Sequence, residues 1–229
     1  MELRVNASPV IIVVAVGGSS PVVEADPLGA AGLLGATLAN AMGSGLPVVV
    51  VTTEALAGEA SRHLASRDVL VLKPGFDRAG SGRIERRGLN AIPGVGVAMA
   101  LGVAARPNAP GWLVLPGDMP RVKATTLQQV GAALREHAIA YAQHHGRHGH
   151  PVGFGAALYS ELVSLHDDEG ARRLAARYPS HAVDVEDAGS QVGLELVDEL
   201  HDARAAWSGP AALRGRRLAD VQARGVSGR

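Results

Sequence analysis

The chain has 229 residues with 22 basic and 22 acidic side chains, so its formal net charge at pH 7 is zero. Hydrophobic residues make up 47% and charged residues 19%, which excludes a disordered chain and predicts one domain with a substantial core. Without net basicity there is no chain-wide pull toward nucleic acid or an anionic membrane, and the absence of cysteine excludes a thiolate nucleophile, a disulfide scaffold and a cysteine-ligated metal.

Residues 10–16 form an apolar run of strand length. The run is far short of the roughly 20 residues of a membrane span and carries no cleavage signature, so the cytoplasm is the default expectation. A helix follows over 26–45. Asp26 suits its N-cap, Pro27 its first position, and Leu28, Ala31, Leu34, Leu38 and Ala41 recur at helical spacing until the Gly43–Gly45 stretch. Residues 47–52 read as a second strand, 53–66 as a second helix and 69–72 as a third strand. The third helix is predicted over 93–106, opened by Pro93 and closed before Pro107. A fourth strand at 112–116 precedes a helix at 124–137 with Leu127, Val130 and Leu134 on one face.

Strands apolar on both faces, alternating with helices, predict a three-layer α/β domain with a mostly parallel sheet. After residue 138 the rhythm changes. Strands at 139–143 and 150–154 enclose a polar turn at 144–149, an insertion expected to add an antiparallel edge. Short helices follow at 156–165 and 168–178. Residues 1–206 read as one domain, and the arginine-rich, glycine-dotted stretch 207–229 as a C-terminal helix and tail.

Ligands of such sheets sit outside the carboxyl ends of the strands, and two loops there carry chemistry. In Val16-Gly17-Gly18-Ser19-Ser20, glycines let backbone N–H groups face a phosphate and serines add donors; a plain strand-to-loop turn has the same composition. In Leu115-Pro116-Gly117-Asp118-Met119-Pro120, a carboxylate is pinned at a strand end, suited either to a divalent metal or to an Asx-type turn. His144, His145, His148 and His150 suggest a metal, but no carboxylate is close in sequence, and a solvated hairpin tip is the expected role.

With these segments in this order, the chain resembles the MobA-like nucleotidyltransferase family, and within it the molybdenum cofactor cytidylyltransferases. The signs are the glycine loop, the Gly117-Asp118-Met119-Pro120 turn, the run from Gly146 through His150-Pro151-Val152-Gly153 to Phe154, and Asp168-Glu169-Gly170-Ala171-Arg172. The resemblance implies a Rossmann-like nucleotidyltransferase fold binding CTP or GTP through Val16, Gly17, Gly18, Ser19, Ser20 and Gly117. It further implies Mg²⁺ on the catalytic Asp118 and on Glu195, which takes the second acidic place of a late family stretch. A molybdopterin acceptor near His150 and Pro151 would attack the α-phosphate and expel pyrophosphate. A molybdoenzyme receiving the cofactor is the implied partner.

The chain also departs from the family pattern. The family places an arginine just after the glycine loop and a lysine soon after it, whereas no Lys or Arg occurs here between Arg4 and Arg62, and Glu24 and Asp26 stand instead. A missing electrostatic donor costs about 2–4 kcal/mol, or roughly 10²–10³ in rate. Arg78, Arg83, Arg86 and Arg87 could substitute, or form an ordinary solvated loop. Gly94-Val95-Gly96 stands where the family has a serine-rich run with an arginine. Three readings follow: a transferase, a catalytically degenerate small-molecule binder on the same fold, or a dinucleotide-using enzyme of the superfamily.

Overall fold

The valine- and isoleucine-rich runs become the interior of one sheet. A computed structural model describes residues 8–16, 27–73 and 94–191. In chain order these contain β1 (Val10–Ala15), α1 (Pro27–Gly43), β2 (Val48–Thr53), α2 (Glu54–His63), β3 (Val69–Leu72), α3 (Val95–Ala104) and β4 (Gly111–Pro116). Then come α4 (Ala124–Ala133), β5 (Ile139–His144), β6 (Arg147–Gly155), α5 (Tyr159–Val163), α6 (Asp168–Arg177) and β7 (Ser180–Asp184).

Every residue of β1 is buried because both sheet faces are covered. Side chains alternate across a strand, so Ile11, Val13 and Ala15 meet Leu34 and Leu38 of α1, Leu56 of α2 and Leu127 of α4. Ile12, Val14 and Val16 meet Ala98, Met99 and Val103 of α3, with Leu162 and Leu174 of α5 and α6 in the same cluster. Each fully buried Leu or Ile contributes about 1.5–3 kcal/mol, which is why strands in such a sheet read as unbroken apolar runs.

The strand order is β3-β2-β1-β4-β6-β5-β7. β3, β2, β1 and β4 pair in parallel, β6 runs antiparallel to β4 and β5, and β7 pairs in parallel with β5. The sheet is thus mostly parallel, with antiparallel pairing confined to the β7 side of β4. The expected three-layer Rossmann-like architecture is present.

Local differences from expectation have physical causes. The hairpin turn is tighter than 144–149: His145 at φ 50° and Gly146 at φ 76° both adopt the left-handed region, as a two-residue loop of the type I′ class requires. β6 therefore starts at Arg147, where polar side chains continue the ladder through His144↔Arg147 and Gln143↔His148. α4 stops at Ala133, four residues before the expected end. β7 was not expected at all. The predicted 207–229 tail lies outside the described residues, and among the described residues no helix is long and apolar enough to cross a membrane.

Asp187, 2% exposed, ties the far end of the sheet to α4. One carboxylate oxygen accepts from the Lys123 N–H at 2.8 Å and the Thr126 hydroxyl at 2.6 Å; the other accepts from the Gly189 N–H at 3.0 Å. Lys123 is the N-cap position of α4, so the buried charge also faces the positive end of that helix. Replacing it leaves buried donors without an acceptor. Asp187→Ala should lower unfolding free energy by about 2–4 kcal/mol in urea titration, and a loss well under 1 kcal/mol would show that the hub is not structural.

Candidate functional site

The order of strand addition reverses between β1 and β4: from β1 the connections lead through α1 to β2 on one side, while β4 lies parallel to β1 on the other. In parallel sheets ligands sit outside the carboxyl ends of the two strands at such a switch point. Val16 leaves β1 there, and Gly117 and Asp118 leave β4 beside it, since Val14 pairs with Pro116.

The turn holding Asp118 is packed against β1 and α1. Gly117 donates its N–H to the Val14 carbonyl at 2.8 Å, extending the β1–β4 ladder by one residue. A Cβ at this position would lie 2.7 Å from the Ala15 Cβ and 3.2 Å from Leu34 Cδ1, so only glycine permits the approach. The Asn40 amide of α1 donates to the Pro120 carbonyl, and the Thr52 hydroxyl donates to the Ala15 carbonyl at 3.2 Å.

Within this frame Asp118 Oδ1 is buried and has no hydrogen-bond partner among the described residues. A carboxylate oxygen so placed is costly to bury and suits a hard cation. The residue thus fits the divalent metal that the family resemblance implies.

The other expected site residues are placed as follows. Val16 is fully buried, its side chain in the core cluster on the α3 face, so only its backbone can serve a nucleotide. His150 is fully buried and its peptide bond to Pro151 is cis. Because β6 opposes β4, the chain from Val152, opposite Val114, back to Arg147 runs toward the Asp118 end of the sheet. His148 stands on that stretch, its Nε2 3.1 Å from the Tyr141 hydroxyl. Gly17, Gly18, Ser19, Ser20 and Glu195 lie outside the described residues, as do Arg78, Arg83, Arg86 and Arg87.

Sequence reasoning missed a carboxylate at this end. α3 crosses between β3 and β4, so its N-terminus faces the carboxyl side of the sheet. The Asp168 Oδ1 accepts the Gly96 N–H there at 2.9 Å. A Cβ at Gly94 would collide with the Asp168 carboxylate, and one at Gly96 with the Asp167 carbonyl. Gly94 and Gly96 thus admit α6 against α3. The chain's own carboxylate takes the partial positive charge that could otherwise attract a phosphate. The two halves of this contact are 72 positions apart, which hides it from any local pattern.

The family described as the MobA-like NTP transferase domain matches residues 27–183. The chain belongs to this family. The MobA-like match takes in Gly117, Asp118, His150 and Pro151, begins after the glycine loop and ends before Glu195. No curated protein matches the chain. Among solved structures, Rv0371c of Mycobacterium tuberculosis H37Rv in complex with manganese is similar at 23% identity and a TM-score of 0.56, covering 78% of this chain and 88% of that one. An Rv0371c homolog from Mycobacterium sp. strain JC1 has 24% identity and a TM-score of 0.56, with coverages of 84% and 96%. A nucleotidyl transferase from Methanothermobacter has 17% identity and a TM-score of 0.52, with coverages of 85% and 98%. At these identities they share the fold.

Gly117→Ala should push the Asp118 turn off β1. The expected loss is about 1–3 kcal/mol of stability, read as a lower thermal midpoint; an unchanged midpoint would show that the turn yields freely.

Proposed function

We propose that the chain transfers a nucleotidyl group from CTP or GTP to a molybdopterin-type acceptor. The observation that carries this reading is the buried Asp118 oxygen at the carboxyl ends of β1 and β4, without a hydrogen-bond partner among the described residues and within the family match. A phosphate oxygen of the acceptor attacks the α-phosphorus. As that bond forms, the bond from the α-phosphorus to the bridging oxygen breaks, and pyrophosphate leaves with the electron pair. When bound, Mg²⁺ neutralises charge on the triphosphate as it rearranges.

In this proposal Asp118 holds the metal, with Glu195 as the second carboxylate. The backbone of Val16, Gly17, Gly18 and Gly117, with the hydroxyls of Ser19 and Ser20, cradles the phosphates, and His150 with Pro151 shapes the acceptor side. The manganese complex of Rv0371c, a protein of similar fold, supports a divalent ion on this scaffold. A cytoplasmic location and a molybdoenzyme that takes up the product complete the reading.

A second reading, a non-catalytic binder of a small molecule, is favoured by one specific combination. No Lys or Arg occurs between Arg4 and Arg62, and Asp168 occupies the helix end that could help hold a phosphate.

Pyrophosphate release separates the two. With molybdopterin, Mg²⁺ and either CTP or GTP, the protein should release pyrophosphate, and Asp118→Asn should reduce the rate by at least about 10². No release with either nucleotide rejects the transferase reading. In that case a thermal shift with nucleotide and Mg²⁺ tells whether any site persists, since a ligand at 100 times its Kd adds about 2.7 kcal/mol of stability.

A further inference from the structure

The β5–β6 hairpin tip carries more than solvated histidines. A ring nitrogen each from His144 and His145 and a carboxylate oxygen of Glu186 all lie within 4.8 Å of one another. The carboxylate missing from the local sequence arrives from the chain just past β7. The parallel β5–β7 pairing runs to Gln143↔Asp184, and the Val185 N–H donates to the Gln143 carbonyl at 2.8 Å. The two chains thus enter the cluster side by side.

His144 is already set up as a ligand. Its Nδ1 is 2.8 Å from the Val185 carbonyl, which can only accept, so Nδ1 carries the proton and Nε2 the lone pair. A backbone carbonyl on the far nitrogen is the usual arrangement behind a metal-binding histidine, because it fixes the tautomer and the ring. The surrounding backbone is held as well. Gln191 donates its amide to the His144 carbonyl at 2.7 Å, and the Lys123 ammonium donates to the Glu186 carbonyl at 2.5 Å. Asp187, next in sequence, is the buried hub that anchors α4.

The outer two members can adjust. His145 and Glu186 are exposed. Among the described residues neither the His145 ring nor the Glu186 carboxylate has a hydrogen bond or ion pair, although the His144 and His145 rings stand 4.0 Å apart. Zinc with bonds of about 2.0–2.1 Å holds tetrahedral donors roughly 3.3 Å from one another, so the donors, now within 4.8 Å, would draw together on binding. His145 also occupies a left-handed turn position that Asn or Gly would fill with less strain.

We propose that His144 Nε2, a His145 ring nitrogen and the Glu186 carboxylate bind one Zn²⁺ or a similar borderline ion such as Co²⁺, leaving a fourth position for water or an exogenous ligand. Two imidazoles and one carboxylate select such ions over Mg²⁺, which takes oxygen donors. The site is therefore chemically distinct from Asp118 and does not rest on the transferase reading. Bound metal would clip the hairpin to the segment after β7.

Calorimetric titration of the untagged, chelator-stripped full chain with Zn²⁺ tests this. One Zn²⁺ per chain should bind and survive a hundredfold excess of Mg²⁺, and Co²⁺ should give the visible ligand-field bands of a low-coordinate nitrogen–oxygen site. His145→Asn and Glu186→Gln change exposed side chains and should keep the circular dichroism of the wild type, yet each should weaken Zn²⁺ binding at least tenfold; His144→Ala should do the same. Absence of stoichiometric binding overturns the proposal. So does binding that His145→Asn and Glu186→Gln leave unchanged, since the metal would then be held elsewhere.

Discussion

Gly117 lies against the end of β1 with its N–H on the Val14 carbonyl and with Ala15 where a side chain would project. That approach sets how closely the start of the Asp118 turn lies against β1. A larger residue would push the turn away from the end of β1. The Asp118 carboxylate would then lose the position that leaves one of its oxygens buried without a donor. The central strand can support such a contact because it is buried on both faces, held by α1, α2 and α4 on one side and α3 on the other. Rigidity at the middle of the sheet is thus converted into placement of one charged group at its rim.

Two features bear on how this end of the sheet would meet an anionic ligand. The segment between Arg4 and Arg62 brings no cation, and the N-terminus of α3 is occupied by Asp168. Gly94 and Gly96 are the steric condition for that contact. The small residues at the start of α3 and the carboxylate that meets its N-terminus are therefore one structural feature, seen from two places in the chain.

Much of the architecture was legible in residue order. The unbroken apolar runs of β1, β2 and β4 announced a doubly covered sheet because burial on both faces leaves no room for polar alternation. Asp118 was legible because a Gly-Asp-x-Pro turn at a strand end is a local pattern. β7 was not, since Ser180-His181-Ala182-Val183-Asp184 lacks an apolar run and earns its place by pairing with β5. Asp187, Asp168 and Glu186 were equally hidden. Each acts on a partner dozens of residues away, so its role appears only after the sheet has brought distant segments together. The histidine tip was legible as a hairpin, while its nearby carboxylate was not.

β7 has one more consequence. Among the described residues it is the last strand on its side of the sheet, built of serine, histidine and aspartate around Ala182 and Val183, with His181 and Asp184 exposed. A strand of that make-up is a poor template for a neighbouring molecule seeking to extend the ladder, because polar and charged flanks disfavour intermolecular β-addition. The segment that periodicity overlooked thus gives the last described strand a polar character that the valine-rich centre of the sheet lacks.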